Sequence, residues 1–211
     1  MGQSPSTTKR RVGLYFGSFN PVHLGHLVIA NHMLFMADLD EVWLVVTPSS
    51  PHKQGVDMIP EAHRLQMAKL ALADHPKLKA SRVEFDLPRP NYTSDTMEHL
   101  RAQNPDTTFS IIMGQDNLAS FSTWKGHASM LEQHRLLIYP RLTMGEPQRT
   151  AEVENWIQHP HVDIQQAPMI AISSTYIRDA IMAGHDVQFL LPDPVLAYIG
   201  NNHFYEERGQ G

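Results

Sequence analysis

Short apolar runs and longer stretches of helically spaced apolar residues alternate along most of this chain. Val12-Gly13-Leu14-Tyr15-Phe16 is a continuous apolar run of buried-strand type, and LVIANHMLFMADL (27–39) then carries apolar residues three to four apart, as a helix would. The same alternation continues. EVWLVVTP (41–48) reads as a strand closed by Pro48, SSPHKQGVDMI (49–59) as a polar loop, and PEAHRLQMAKLALAD (60–74) as a helix with Pro60 in its first turn. SRVEFDLP (81–88) predicts a strand ended by Pro88, YTSDTMEHLRAQ (92–103) a helix opened by cap-type residues, and TFSIIMG (108–114) a strand leading into a helical DNLASF segment. HRLLIYP (134–140) and HVDIQQ (161–166) read as strands on either side of a helix in EPQRTAEVENWIQ. ISSTYIRDAIMAG (172–184) and DPVLAYIG (193–200) complete the chain as helices. Strands alternating with long helices predict βαβ units and an α/β fold, a doubly wound parallel sheet flanked by helices. Such sheets bind ligands beyond the carboxyl ends of their strands, where the strand order reverses.

Composition narrows the classes. With 211 residues, 42% of them hydrophobic, the chain suits one compact domain with a substantial core. MGQSPSTTKRR lacks the apolar centre of a secretory signal, so residues 1–10 read as a disordered polar tail, 11–205 as a single domain and 206–211 as a second tail. No apolar stretch approaches the roughly 20 residues that span a bilayer. Cysteine is absent, which excludes disulfides, thiolate catalysis and Cys-based zinc sites and fits a cytoplasmic protein. A net charge of −5 argues against a nucleic-acid partner while leaving room for a local anion site.

The most informative stretch is GSFNPVHLGHL (17–27), where a strand gives way to a helix. A Gly-rich turn there lets backbone N–H groups approach a phosphate, with the positive end of the helix dipole behind it. His23 and His26 are one helical turn apart and face the same side, where imidazole N–H groups can hold phosphate oxygens. The same spacing also suits a metal pair, though no third ligand follows in sequence. A second stretch, ISSTYIRDAI, opens a helix with Ser173, Ser174 and Thr175 and places Arg178 about one turn on. Hydroxyls, free N–H groups and a guanidinium together grip a polyanion, although an ordinary capped helix with a surface arginine would look the same.

GxFNPxHxGH resembles the first signature of the nucleotidyltransferase superfamily, and ISSTxIR resembles its second. Members share a Rossmann-like fold and transfer AMP or CMP. NYTSDT (91–96), MGQDNLASFSTW (113–124) and PHK (51–53) are similar to segments of the bacterial nicotinate-nucleotide adenylyltransferase family, a resemblance that runs from about Val12 to Tyr205. It implies an ATP site built from Gly17, Ser18, Phe19, Asn20, His23, His26, Asp116, Ser173, Ser174, Thr175 and Arg178, with His23, His26 and Arg178 acting in catalysis. It implies a mononucleotide site in which Trp124 stacks on the cationic nicotinate ring, Thr93 and Lys125 aim backbone N–H groups at its carboxylate, and His52 and Lys53 meet its phosphate. Indole is the best aromatic face for a cation. A carboxylate suits N–H donors that a carboxamide can meet with its own N–H, which favours the acid over the amide.

The implied reaction is adenylyl transfer from ATP to nicotinate mononucleotide, giving nicotinate adenine dinucleotide and pyrophosphate in NAD biosynthesis. Mg²⁺ would be carried by ATP, with no protein metal site, and a homo-oligomer is compatible. Departures from the family pattern are His127, where an aromatic residue or tryptophan is common, Met97 in DTM for the commoner DTL, and an insert around 145–160 without assigned role. Other acceptors, nicotinamide mononucleotide or phosphopantetheine, keep the same chemistry. A non-catalytic ATP-binding module would keep the fold alone.

Overall fold

A computed structural model describes residues 9–49, 58–141 and 151–207. Six strands form one sheet: β1 (Arg10–Gly17), β2 (Glu41–Val46), β3 (Leu78–Ser81), β4 (Thr107–Gly114), β5 (Leu136–Tyr139) and β6 (Val162–Ile164). Their order is β3-β2-β1-β4-β5-β6, and every neighbouring pair is parallel. The chain winds outward from β1 in one direction and then from β4 in the other. The reversal between β1 and β4 opens a crevice at their carboxyl ends, next to Gly17 and Gly114.

Alternation along the strands divides the core in two. On one face, Tyr15, Val42, Leu44, Val46 and Ile112 pack under α1 (Leu24–Met36), α2 (Glu61–Leu72), α7 (Ser174–Met182) and α8 (Asp193–Asn201). On the other, Val12, Leu14, Phe109, Ile111 and Met113 meet α3 (Thr93–Gln103), α4 (Gln115–Leu118), α5 (His127–Gln133) and α6 (Ala151–Ile157). Strands sandwiched in this way are apolar on both faces, which is why their sequences run apolar continuously. Among the described residues no helix is long and apolar enough to cross a membrane.

The expected strand at 81–88 is not one. β3 ends at Ser81, the last residue paired with β2, and Val83–Asp86 form a 3₁₀ turn. The alternation Val-Glu-Phe-Asp suggests a strand with its acids outside, but Glu84 is buried and its carboxylate accepts from the Thr96 hydroxyl at 2.8 Å. Pro60 is the N-cap of α2 rather than a first-turn residue, and β1 already begins at Arg10, inside the span read as a tail.

Candidate active site

The turn between β1 and α1 lies at the crevice. Phe19 sits in the left-handed region at φ 46°, unusual for a bulky residue, and its ring is buried. A methyl group on Gly17 would lie 2.9 Å from the Phe19 ring, and one on Gly25 would lie 3.0 Å from two atoms of the His23 ring. The glycines therefore make room for side chains of their own turn, not directly for a ligand as the sequence suggests.

The carbonyls of the turn are held from behind. Arg178 Nη1 donates to Asn20 O at 2.9 Å, Ser174 Oγ to Pro21 O at 2.9 Å and Arg64 Nη1 to Ser18 O at 2.6 Å. The Tyr205 hydroxyl donates to Asn20 Oδ1 at 2.7 Å. In a trans peptide the C=O and N–H point opposite ways. Tying back Ser18 O and Pro21 O thus turns the N–H groups of Phe19 and Val22 to the other side. The structure brings the two signature stretches together across 153 residues through the Ser174–Pro21 bond. Their hydroxyls are already at work, however: Ser173 Oγ caps α7 by accepting from Tyr176 N–H at 3.1 Å, and Thr175 Oγ1 accepts from Arg178 Nη2 at 3.3 Å.

His23 is the N-cap of α1 and His26 lies in its first turn. Their rings stack at 3.7 Å between centroids and 30° between planes, and His26 Nδ1 accepts from the His23 backbone N–H at 3.2 Å. A neutral His26 then carries its proton on Nε2. Stacked rings present their nitrogens side by side instead of converging on one point, a poor arrangement for sharing a metal. Among the described residues no three His, Cys, Asp or Glu side chains gather as a metal site. His23 Nδ1 and Asn20 Nδ2 are buried without a hydrogen-bond partner among the described residues.

Burial, and secondarily Arg141, push the His23 pKa down to about 4, so the folded protein holds it neutral. An unfolded chain would protonate it near 6.5. Between those values the unfolded state binds more protons, so His23 makes stability fall as pH drops from about 6.5 to about 4, by a total on the order of 3 kcal/mol, with no contribution to slope above that window. Urea unfolding across this range should show a shallower loss in His23→Gln than in wild type. Parallel curves for the two proteins would contradict the buried neutral state.

At the end of β4, Asp116 lies in the first turn of α4 and pairs with Arg141 Nη1 at 3.1 Å. A methyl group on Gly114 would collide with Asp116 Oδ1, so this glycine sets where the carboxylate can lie. Below, the hydroxyls of Tyr15 and Tyr139 meet at 3.0 Å, and burial raises the pKa of both.

The second part of the site lies across β4. Thr93 is the first residue of α3, so its N–H has no acceptor within the helix. Asn91 fixes that helix start: its N–H donates to Ser49 O at 3.0 Å and its Nδ2 to Glu84 O at 2.9 Å. Trp124 follows the Phe121–Thr123 turn, half-buried, with its ring 5.8 Å from that of Phe121. Lys125 lies next in the chain. Its side chain turns away to Asp95, 2.8 Å from each oxygen, and lies 4.9 Å from the Tyr92 ring centroid. His127 is edge-on to Phe121 and to Trp156, whose own ring is edge-on to Phe121. Trp156, within the insert that had no assigned role, thus buttresses the Trp124 segment. His52 and Lys53 lie outside the described residues.

Arg64, Arg141, Trp156 and Tyr205 escaped the sequence reading. Arg64 left one signal, since it shares the buried face of α2 with Leu65, Ala68 and Leu72. Tyr205 left none, because its bond to Asn20 spans 185 residues.

This parallel sheet, with its N–H-lined turn at the switch point and a second helix cap closing on it, has the architecture of a nucleotide-handling enzyme. Residues 14–180 match the cytidylyltransferase-like family model. Two curated relatives, each described as a probable nicotinate-nucleotide adenylyltransferase, come from Flavobacterium johnsoniae (45% identical over 197 residues) and Flavobacterium psychrophilum (46% over 198). Both alignments cover 93% of this chain and 100% of the relative. A solved Plasmodium falciparum nicotinic acid mononucleotide adenylyltransferase, complexed with NaAD, shares the fold with a TM-score of 0.77 at 17% identity, over 93% of this chain and 97% of its own. The chain belongs to the cytidylyltransferase-like family and, within it, to the nicotinate-nucleotide adenylyltransferases.

Proposed function

We propose that the protein transfers the adenylyl group of ATP to nicotinate mononucleotide, forming nicotinate adenine dinucleotide and pyrophosphate. The observation that carries this reading is the junction of the first turn with the α7 cap at the switch point, where Asn20 Nδ2 and His23 Nδ1 are buried with no hydrogen-bond partner among the described residues. In this assignment the turn Gly17-Ser18-Phe19-Asn20, His23, His26 and the α7 start from Ser173 to Arg178 hold the triphosphate, with Asp116 at the ribose side. Thr93, Trp124 and Lys125 hold the pyridine ring. ATP brings its own Mg²⁺ in this assignment, and the Asp116 carboxylate at the crevice is paired with Arg141.

A phosphate oxygen of the mononucleotide attacks the α-phosphorus, and the bond to the bridging β-phosphate oxygen breaks as pyrophosphate leaves with the electron pair. The nucleophile has a second pKa near 6 and is mostly dianionic at pH 7, so no general base is needed. What the chain supplies is in-line placement of two anions and donors for the charge that grows on the leaving group. Neutral His23 can serve as such a donor, and an arriving polyphosphate would favour its protonation.

The deciding experiment is product analysis with ATP, Mg²⁺ and equal nicotinate and nicotinamide mononucleotides. The acid dinucleotide should dominate, and a dominant amide product, or no dinucleotide, overturns the proposal. Trp124→Ala should raise KM for the mononucleotide about tenfold, the worth of a cation–π contact of 1–2 kcal/mol, and leave KM for ATP nearly unchanged. An effect on ATP alone would refute the stacking role.

A further inference from the structure

Arg64 is an anomaly. It is 1% exposed, on the face of α2 that also buries Leu65, Ala68 and Leu72. A cation so placed loses its hydration and ordinarily recovers it from a carboxylate. Among the described residues its hydrogen bonds all go to main-chain carbonyls. Nη1 donates to Ser18 O at 2.6 Å and Thr47 O at 2.8 Å, Nη2 to Pro48 O at 3.2 Å and Nε to Ile59 O at 3.1 Å. Glu61, one turn earlier on the same helix, forms its ion pair with Arg89 instead. Among the described residues no carboxylate bonds to the buried guanidinium.

Those four carbonyls come from three parts of the chain: the phosphate turn after β1, the exit of β2 and the entry to α2. A bonded carboxylate would neutralise the guanidinium directly, whereas carbonyl dipoles orient around it and leave a net positive charge behind the turn. The bond to Ser18 O also faces the Phe19 N–H away from α2, in a residue whose φ of 46° needs holding. From the other flank Arg178 and Ser174 donate to the carbonyls of Asn20 and Pro21.

We infer that Arg64 is a positioning residue for the phosphate turn, acting through the Ser18 carbonyl and as a buried positive charge behind the site that receives pyrophosphate. The inference rests on the adenylyl-transfer reading. Lysine would keep the charge but lose the planar fork, which satisfies several carbonyls at once, whereas glutamine keeps neither. Calorimetry with inorganic pyrophosphate and steady-state kinetics should therefore separate the two effects. Arg64→Gln should weaken pyrophosphate binding about tenfold or more and lower kcat about a hundredfold, in line with losses of preorganised donors. Arg64→Lys should bind pyrophosphate within about threefold of wild type yet still lose about tenfold in kcat, because the turn is less well fixed. KM for the mononucleotide should move little in both.

A folded Arg64→Gln with wild-type pyrophosphate affinity and kcat overturns the inference. Should that variant fail to fold, Arg64→Lys decides: wild-type kcat, or pyrophosphate binding abolished despite the retained charge, overturns it. The pyrophosphate arm needs no turnover. A wild-type protein that makes no dinucleotide would refute the activity, while the binding comparison would still judge Arg64.

Discussion

Replacing His26 with alanine is expected to lower kcat by about 100- to 1,000-fold, the range seen when one preorganised donor is removed from a charge-stabilising site. The ring is held on two sides: it stacks on His23 at 3.7 Å, and its Nδ1 accepts the His23 N–H at 3.2 Å. In the proposed assignment its Nε2–H is the donor that meets the phosphate. Removing the ring also removes one helix-start bond, worth about 1 kcal/mol, so the unfolding midpoint should fall only modestly. Two isosteres separate the roles. Glutamine places an amide nitrogen near the Nε2 position and should recover part of the turnover, while asparagine can replace only the bond at Nδ1. Near wild-type turnover in His26→Ala would remove the residue from the mechanism, as would rescue by asparagine and not by glutamine.

The second large effect is expected from Gly17→Ala. The new methyl would sit 2.9 Å from Phe19 Cζ and 3.1 Å from both Cε atoms. The ring cannot swing aside cheaply, because it is 2% exposed, lies edge-on to Tyr15 at 5.8 Å between centroids, and belongs to a residue already at φ 46°. Overpacking of this kind costs about 1–3 kcal/mol. A turn displaced by about 1 Å would in addition lose about 100-fold in rate through misplaced donors. Urea unfolding and turnover measured on the same preparation test both losses. Pairing the change with Phe19→Leu should relieve the clash and return stability. If the single variant matches wild type in both measurements, the packing argument fails.

Much of this arrangement could be read from local signals. The run 12–16 followed by helical spacing specified β1 and α1, and the repetition of that pattern specified a parallel sheet with its site at the carboxyl edge. What could not be read is whatever depends on contacts far apart in sequence. Glu84 looked like the outer face of a strand because Thr96, which receives its carboxylate, belongs to the following helix. Gly17 and Gly25 looked like openings for a ligand, since nothing in the sequence tells that the Phe19 and His23 rings fill those spaces. Ser173 and Thr175 could be recognised as cap-type residues, but not that one caps α7 and the other braces Arg178. Arg64 carried a faint mark as a cation on an apolar helical face, and its four carbonyl partners were invisible.

The bonds from Ser174, Arg178 and Tyr205 back to Asn20 and Pro21 have a bearing on how the protein is made. The turn is synthesised 153 to 185 residues ahead of the groups that lock it. Until α7 and the segment after α8 have been made, the turn lacks those three bonds, and its bond from Arg64 and the pairing of β1 with β2 are what can hold it.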